Sequence, residues 1–573
     1  MNTATANKRI AIIGGGPSGL FMYKRLTESK AVNFEIDIFE RKDYLGAGMP
    51  YSAEGANVEH ITNVSDNEIP IIFNSIEDWV KIAPKAVLKK FNINETKFNE
   101  YKVLPRLFFG EYLSAQFNLL KDAAAKKGIK TNVHLKCVVE DIIDFPEDNQ
   151  IGISIQNHGK VYFDQVIICT GHNWPKKYEG RIPHYFDSPY PPKKISLKLD
   201  HAVGIMGSSL TAIDALRTLA RQNGKFEDNE DGTYHYHLES KGFKIVMHSR
   251  SGLLPAIRFH LEDSHLGKEE TLSKAEIQAS IAENGGFLPL DFVFEKNFKE
   301  MFIEKDPAFY EQIKNMNLEE FVAAMMGFRE KMEPFDLFKK EYDEAEKSIE
   351  KRKSIYWKEA LAVLSFAMNY PAKYLSAEDM VRLQKVLMPL ISIVIAFVPQ
   401  SSCRELLALY EAGVLSIVAV GDDAELKPLE TGGADYHYTV DEKKVTVHFD
   451  TFIDCIGQPH LSFDDFPFKS LIKNGTVSPA MLQFRSAENG KAEMKHNDLV
   501  IKKGNAYFLT VPGITINDHF QVVNEAGQLN ERIYIMAVPY IGGYNPDYSG
   551  IDFCEAASEA VLQRILGDNR LTS

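Results

Sequence analysis

The chain has 573 residues and a formal net charge of −14 at pH 7. Hydrophobic residues make up 45% and charged residues 25%, which is ordinary for a globular protein, and a chain of this length is expected to form about two to four domains. The acidic balance gives no sign of a nucleic-acid or anionic-membrane partner, and the longest apolar run, 387–398, is too short to span a bilayer.

The first nucleotide signal lies at the N-terminus. An apolar run at 10–13 predicts a buried parallel strand, and it leads into the G-x-G-x-x-G turn of residues 14–19. An amphipathic stretch from about Leu20 to Thr27 follows, and then a second apolar strand that ends on Glu40. Strand, turn, helix, strand and acid in this order predict a dinucleotide site, whereas a chance glycine turn would lack the other elements.

Each glycine of this turn has its own predicted role. Gly14 permits the tight turn, Gly16 lets the backbone approach a pyrophosphate, and Gly19 lets the helix pack close to the strand. The free N–H groups at the helix start favour the charge of a phosphate, and Glu40 can accept hydrogen bonds from a ribose.

A second nucleotide signal begins near residue 200. A predicted strand at 201–206 precedes Gly207-Ser208-Ser209-Leu210-Thr211-Ala212, a G-x-S-x-x-A form of the same turn, and a helix and a further strand follow. This unit carries Arg250 where the first carries Glu40, and a cation there suits the 2′-phosphate of NADP(H). Because Ser209 replaces the middle glycine, the alternative is a degenerate unit that is kept only for packing.

Two inserted segments interrupt the second unit. Residues 222–239 are polar with turn signals, which predicts a hairpin; His235 and His237 alternate there without a third ligand, so we expect exposed hairpin residues and not a metal pair. From about 261 to 395 the sequence has charged stripes at helical spacing, which predicts a helical insertion.

The five cysteines are scattered and contain no C-x-x-C, which argues against a disulfide framework, a zinc site or a dithiol redox pair. The N-terminal segment lacks the apolar core of a signal peptide. We therefore expect a protein of the reducing cytoplasm that holds no metal.

The complete set of motifs resembles the flavoproteins with two dinucleotide-binding domains, and it is most similar to the group related to class B flavin monooxygenases. The segments that carry the resemblance are 40–41 with 45–51, 60–64, 105–106 with 109–113, 169–172, 249–255 and 550–554. The resemblance implies an α/β fold with two Rossmann-like domains, one for FAD and one for NADPH. The implied domains are 1–199 and 451–573 for FAD, and 200–450 for NADPH, with the helical insertion inside the second.

The resemblance also implies a set of site residues. Those expected to bind FAD are Gly14, Gly16, Pro17, Ser18, Gly19, Glu40, Arg41, Thr170, Gly171 and Gly550. Those expected to bind NADPH are Gly207, Ser208, Ser209, Ala212 and Arg250. Asn63 and Arg106 are the catalytic candidates: Asn63 near the flavin edge, and Arg106 beside a phosphate or a substrate carboxylate. The alternatives are that Asn63 fixes a turn and that Arg106 forms a surface or interdomain salt bridge.

The implied function is an FAD- and NADPH-dependent monooxygenase that activates O2 as a flavin C4a-(hydro)peroxide and oxygenates a small nucleophilic substrate. N-hydroxylation of an amine or amino acid is the first choice, because N-hydroxylating enzymes are prominent in the group that the chain resembles. Baeyer–Villiger chemistry is less favoured, because the fingerprint F-x-G-x-x-x-H-x-x-x-F/Y is only partly matched by Tyr178, Gly180 and His184. Two alternatives remain open: an NAD(P)H-dependent reductase or oxidase without oxygen transfer, and a non-catalytic flavin-binding redox sensor. A homo-oligomer built through the helical insertion is a further possibility.

Overall fold

The computed structural model of the chain describes residues 7–29, 34–261, 272–440, 442–458, 460–546 and 550–567. Six strands in the described part of the chain form a first sheet, in the spatial order Gln521–Val523, Leu529–Ile535, Gln165–Ile168, Lys8–Ile13, Phe34–Glu40 and Lys130–Leu135. Neighbouring strands are parallel except for the antiparallel pair Gln521–Val523 and Leu529–Ile535. The two central strands are apolar and buried at residues 10–13 and 166–168, as expected for parallel strands that are covered on both faces of the sheet.

Three long helices accompany this sheet in the described residues: Pro17–Glu28, Arg106–Lys126 and Gly550–Ile565. Pro17–Glu28 connects the first two strands of the sequence, as the glycine turn predicts. Gly550–Ile565 packs against it, with Arg25 paired to Glu559 at 3.0 Å.

A second, parallel sheet lies in the other dinucleotide unit. Its strands among the described residues are, in spatial order, Tyr185–Phe186, Thr451–Asp454, Ala202–Met206, Lys244–Ser249 and Leu415–Ala419. The helices Leu210–Asn223 and Gln400–Glu411 belong to this unit. The prediction of two Rossmann-like units in an α/β fold is confirmed.

One strand lies in a different sheet from the one expected. The domain boundary at 450/451 assigned Thr451–Asp454 to the segment that returns to the first unit. The strand instead pairs in parallel with Ala202–Met206, because its alternate apolar residues complete the core of the second sheet. The chain rejoins the first core only after this strand, from Leu461 onward.

The predicted insertion is helical. Its helices in the described residues are Lys274–Glu283, Leu290–Phe294, Phe302–Lys305, Pro307–Ile313, Leu318–Glu330, Pro334–Lys351, Tyr356–Ala367, Ala377–Arg382 and Met388–Val394, with π-helical turns at Glu295–Lys299 and Leu383–Leu387. Although the segment interrupts the second unit in sequence, buried side chains such as Phe298 and Leu361 join the apolar core of the first sheet. Phe335 and Phe338 join the core of the second.

Smaller elements complete the fold. The predicted hairpin is Gly224–Asp228 with Tyr234–Leu238, and His235 and His237 are exposed on it. The other strands of the described chain are Ile61–Ser65, Val103–Pro105, Val139–Phe145, Gln150–Ile155, Gly159–Phe163, Glu425–Pro428, Ala434–Val440, Lys443–Phe449, Pro479–Gln483, Val500–Lys503 and Ala506–Ile514. The remaining α-helices described are Ile76–Ile82, Lys85–Lys90, Lys469–Lys473 and Ala487–Glu493.

Candidate active site

The first glycine turn has the close contacts that its sequence predicts. Gly14 has φ +106°, and a Cβ atom there would lie 2.5 Å from the carbonyl oxygen of Cys169. A Cβ atom at Gly19 would lie 2.1 Å from the carbonyl oxygen of Gly14. The turn therefore packs directly on the end of the strand Gln165–Ile168, and only glycine fits at these two positions.

The helix after this turn begins without a side-chain cap. Pro17 occupies its first turn, and no side chain of Gly16 is available to accept a hydrogen bond from the helix N–H groups. Glu40 faces the same turn: its Oε2 accepts a hydrogen bond from the Gly15 N–H at 2.7 Å, and its Oε1 accepts one from the Lys42 N–H at 2.8 Å. Each oxygen retains acceptor capacity, so Glu40 can shape the turn and still face a ligand hydroxyl.

A cavity of about 370 Å³ lies in front of this turn. Eleven of the predicted residues line it: Gly14, Gly16, Pro17, Ser18, Glu40, Arg41, Asn63, Arg106, Thr170, Gly171 and Gly550. Thr211 and Gln458 of the second unit also line it, so the cavity is shared by the two units. Gly19 lies behind the turn, and Gly207, Ser208, Ser209, Ala212 and Arg250 lie outside the described lining.

The cavity has features that fit a dinucleotide cofactor. The hydroxyl oxygen of Thr170 is buried and has no hydrogen-bond partner among the described residues. Gly16 lines the cavity without a side chain, so its backbone faces the cavity, and a Cβ atom there would lie 3.3 Å from the Cα atom of Gly48. An open backbone, an uncapped helix start and an unpaired hydroxyl are the groups that a bound pyrophosphate and ribose use.

Arg106 already has a carboxylate partner. Its Nη1 donates to Oδ2 of Asp214 at 2.6 Å, and its Nε donates to the carbonyl oxygen of Ile61 at 3.2 Å. Burial disfavours the charge, but Asp214 and the nearby tyrosines Tyr190 and Tyr51 together outweigh burial and raise the pKa of Arg106. Arg106 therefore forms the interdomain salt bridge that we considered as its alternative role, while part of it still lines the cavity.

Asn63 lies on the strand Ile61–Ser65 at the cavity wall. Its backbone carbonyl accepts a hydrogen bond from the guanidinium of Arg258, which also contacts Ser65 and Glu68. Arg258 is 5% exposed and comes from the chain after the second unit's third strand. This clamp fixes the backbone beside Asn63, and no local sequence pattern predicts it.

The second glycine turn repeats the geometry of the first. Gly207 has φ +109°, and a Cβ atom there would lie 2.7 Å from the carbonyl oxygen of Cys455. The helix Leu210–Asn223 also begins without a side-chain cap. Arg250 lies at the end of the next strand, highly exposed, with one nitrogen 3.7 Å from Oδ1 of the equally exposed Asp422.

Hydrogen bonds join the two turns that follow the strands Gln165–Ile168 and Thr451–Asp454, one from each sheet. Trp174 Nε1 donates to the carbonyl oxygen of Gly457 at 3.1 Å. The Asn173 N–H donates to Oε1 of Gln458 at 3.0 Å, and Nε2 of Gln458 donates to the carbonyl oxygen of Asn173 at 2.7 Å. The carboxyl ends of both sheets therefore meet at the cavity.

The cavity also contains two thiols that the sequence did not bring together. Cys169 and Cys554 both line it, and Cys554 Sγ lies 3.4 Å from the hydroxyl of Ser18. Burial raises the pKa of Cys554 to about 12 and that of Cys169 well above its ordinary value. Both thiols are therefore protonated near neutral pH, and a protonated thiol is a poor nucleophile.

Within the described residues, no group of three His, Cys, Asp or Glu side chains is placed to hold a metal ion. In the same part of the chain, no helix is both long and apolar enough to cross a membrane.

Comparison with known proteins identifies two regions. Residues 11–173 match the FAD-NAD(P)-binding family, and residues 273–395 match the YdhS-like middle domain. The chain is 30% identical to the uncharacterized protein YdhS of Escherichia coli (strain K12) over 475 residues, which is 81% of this chain and 86% of that protein.

Solved structures give distant matches over nearly the whole chain. An ornithine N-hydroxylase of Kutzneria sp. 744 has a TM-score of 0.46 at 10% identity and covers 98% of this chain and 100% of its own. A bacillithiol disulfide reductase of Bacillus cereus has a TM-score of 0.39 at 13% identity and covers 98% of this chain and 99% of its own.

The family match over residues 11–173 confirms the predicted relationship to FAD/NAD(P)-binding flavoproteins, and with it FAD and NAD(P) as the cofactors. The two sheets with their glycine turns give the chain the fold of a flavoprotein oxidoreductase. By its identity with the Escherichia coli protein over most of both chains, and by its FAD-NAD(P)-binding and middle domains, the chain belongs to the YdhS family.

Proposed function

We propose that this protein is an NADPH-dependent FAD monooxygenase that oxygenates a small nucleophilic substrate, with N-hydroxylation of an amine or amino acid as the first candidate reaction. The observation that carries the proposal is the cavity lined by both dinucleotide units, from Gly14 and Gly16 on one side to Thr211 and Gln458 on the other. An electron donor bound to the second unit and an acceptor bound to the first would meet there.

The proposed reaction consumes one NADPH, one proton, one O2 and one amine, and it gives NADP+, water and the hydroxylamine. Bound FAD would supply the redox chemistry that links oxidation of NADPH to reduction of O2. The protein holds the two cofactors, positions the substrate and excludes water.

The first glycine turn, Glu40 and Thr170 are proposed to hold FAD. The uncapped start of the helix Pro17–Glu28 would face the pyrophosphate, and the carboxylate of Glu40 would accept hydrogen bonds from a ribose. Arg41, Gly171 and Gly550 complete this part of the cavity wall.

The second glycine turn is proposed to hold NADPH. Gly207, Ser208, Ser209 and Ala212 form the turn and the helix start, and the exposed guanidinium of Arg250 would pair with the 2′-phosphate. That phosphate contact would make NADPH the preferred donor over NADH.

Asn63 and Arg106 are proposed to act on the substrate side. The amide of Asn63 can donate and accept hydrogen bonds, and its backbone is fixed by Arg258. Arg106 keeps its positive charge because Asp214 raises its pKa, and it would favour negative charge that develops in the cavity.

The state of the cavity thiols favours oxygen transfer over disulfide reduction. A dithiol mechanism needs a thiolate, and burial raises the pKa of both Cys169 and Cys554. These two thiols are therefore poorly suited to the sulfur chemistry that a disulfide reductase uses.

The test is to measure NADPH oxidation, O2 uptake and H2O2 release together, with a panel of diamines and basic amino acids under 18O2. We expect one substrate to lower H2O2 release and to yield a product that carries one 18O atom per NADPH. If every panel member leaves all electrons in H2O2, the protein is an oxidase; if NADPH does not reduce the flavin at all, a redox sensor is favoured.

A further inference from the structure

The helix that starts at the second glycine turn also contacts the first unit. Thr211, in its first turn, lines the cavity, and Asp214, one turn later, is 4% exposed. Thr218, a further turn on, is 1% exposed. Residues spaced by three and four lie on one face of a helix, so this face is the one that packs against the first unit.

Asp214 accepts two hydrogen bonds from residues of the cavity wall. Its Oδ2 accepts from Arg106 Nη1 at 2.6 Å and from the hydroxyl of Tyr190 at 2.8 Å. Arg106 and Tyr190 both line the cavity, whereas Asp214 lies behind them. Removing its carboxylate would therefore take a hydrogen-bond acceptor from two wall residues at once.

A histidine of the first unit contacts the same helix. His60, 1% exposed, has its Nε2 3.1 Å from the carbonyl oxygen of Asp214 and 3.1 Å from Oγ1 of Thr218. Thr218 in turn donates to Oε1 of Glu59 at 2.7 Å. The backbone of the helix at Asp214 and the side chain of Thr218 are thus fixed to the segment that precedes Asn63.

Because Asp214 is buried, its carboxylate depends on these hydrogen-bond partners. A buried carboxylate is unfavourable unless it is paired and hydrogen-bonded. Burial acts to raise the pKa of Asp214, but its neighbours, led by Arg106 and including the Tyr190 hydroxyl, together keep that pKa below its usual value. The carboxylate therefore stays ionised and holds its two partners at neutral pH.

We propose that Asp214 is a positioning residue for hydride transfer: it fixes the start of the second dinucleotide helix relative to the cavity-facing Arg106 and Tyr190, and so sets the approach of NADPH to FAD. The inference rests on the proposed function, because it requires that NADPH bound at the second turn reduces FAD in the shared cavity. Asp214 contributes no atom to the reaction and acts through the residues that it holds.

The test compares wild-type holoenzyme with Asp214→Asn by anaerobic stopped-flow reduction with NADPH, together with calorimetric titration of NADP+ and the absorbance of bound FAD. We expect the reduction rate at saturating NADPH to fall by about tenfold to a hundredfold, since small misplacements of reacting groups have effects of this order. The NADP+ dissociation constant should change less than about threefold, because a positioning role leaves the turn and Arg250 intact.

A matched control lies on the same helix. Arg217 is 3% exposed and pairs with Glu405 at 2.8 Å, and this ion pair lies within the second unit. Glu405→Gln should lower thermal stability without slowing flavin reduction. Tyr190→Phe removes the hydroxyl that donates to Asp214 and should slow flavin reduction by a smaller factor. This variant replaces Asp214→Asn in the test if Asp214→Asn fails to fold.

Three results would overturn the inference. Reduction of Asp214→Asn and Tyr190→Phe at the wild-type rate would remove the positioning role alone and leave the proposed function standing. An equal slowing in Glu405→Gln would assign the effect to general stability. A wild-type protein whose flavin is not reduced by NADPH would refute the proposed function together with this inference.

Discussion

Gly19 shows how one backbone contact fixes a residue type in the first dinucleotide unit. A Cβ atom there would lie 2.1 Å from the carbonyl oxygen of Gly14, a rigid backbone atom at the turn itself. The sequence motif and the structure therefore give the same reason for the glycine: the helix must approach the strand closely.

We expect Gly19→Ala to lower the free energy of unfolding by about 1–3 kcal/mol, since the added methyl group has no room, and to lower the FAD content. Gly327→Ala is the matched control, because Gly327 lies inside the helix Leu318–Glu330 and a methyl group there would meet no described atom within 4 Å beyond its chain neighbours and the backbone of its own helix. Alanine at that position should stabilise the helix by up to about 1 kcal/mol. Chemical denaturation and the flavin-to-protein absorbance ratio measure both effects. A Gly19→Ala protein with wild-type stability and full FAD would contradict the close packing.

Arg250 is expected to distinguish the two nicotinamide cofactors. Its side chain is highly exposed, so Arg250→Ala should leave folding unchanged. We expect NADPH binding to weaken by about tenfold to a hundredfold, the effect of losing a hydrogen-bonded charge pair, while NADH binding stays the same. Titration with both cofactors measures the difference, and an equal loss for the two would exclude a contact with the 2′-phosphate.

At the scale of elements, the strand ends carry the chemistry of both units. Each glycine turn packs on the backbone of a cysteine that follows a neighbouring strand: Gly14 on Cys169 and Gly207 on Cys455. Parallel strands bring their carboxyl ends to one edge of a sheet, which is where ligands bind in open α/β sheets. The two turns were predictable from the sequence because each is built from a short, continuous run of residues.

Asp454 lies at the end of the strand Thr451–Asp454, and its carboxyl group is expected to make the stability of the protein depend on pH. Burial, aided by the nearby Asp187, raises the pKa of Asp454 to about 6 even though the Ile456 N–H donates to its carboxylate. The folded state therefore binds this proton more tightly than the unfolded chain, so the free energy of unfolding falls as the pH rises from about 4 to 6 and then levels off.

We expect Asp454→Asn to raise the free energy of unfolding at pH 7 by about 1–2 kcal/mol and to have little effect at pH 4, where the carboxyl of the wild type no longer carries this penalty. Denaturation at both pH values measures this. Asp422→Asn is the control, because that carboxylate is 86% exposed and should change little at either pH. A pH-independent effect of Asp454→Asn would show that charge is not its cause.

At the scale of the whole molecule, the helical insertion joins the two units. It leaves the second unit after the strand Lys244–Ser249 and returns before Gln400–Glu411, yet most of its buried apolar residues belong to the same contiguous core as the first sheet. A polar cluster reinforces this contact: Lys373 pairs with Asp518 at 2.9 Å, and Tyr370 and Tyr374 donate to the same carboxylate.

Asp518→Ala would leave the ammonium of Lys373 buried without its carboxylate. We expect the free energy of unfolding to fall by about 3 kcal/mol, the usual cost of breaking a buried ion pair, and the double variant Asp518→Ala with Lys373→Met to recover part of it. Chemical denaturation of the single and double variants measures these free energies of unfolding. An additive loss in the double variant would mean that the two charges do not depend on each other.

The sequence by itself determined both dinucleotide turns, the helical insertion, and the FAD-side residues that line the cavity. These features depend on spacing within a few residues, where strand and helix periods and the conformational demands of glycine act directly. Tertiary structure alone decided that Arg106 pairs with Asp214, that Arg258 fixes the backbone of Asn63, and that the insertion packs on the first core. Those contacts join residues that are far apart in the chain. Their pairing depends on how the helices and strands pack together, and local sequence patterns do not encode that packing.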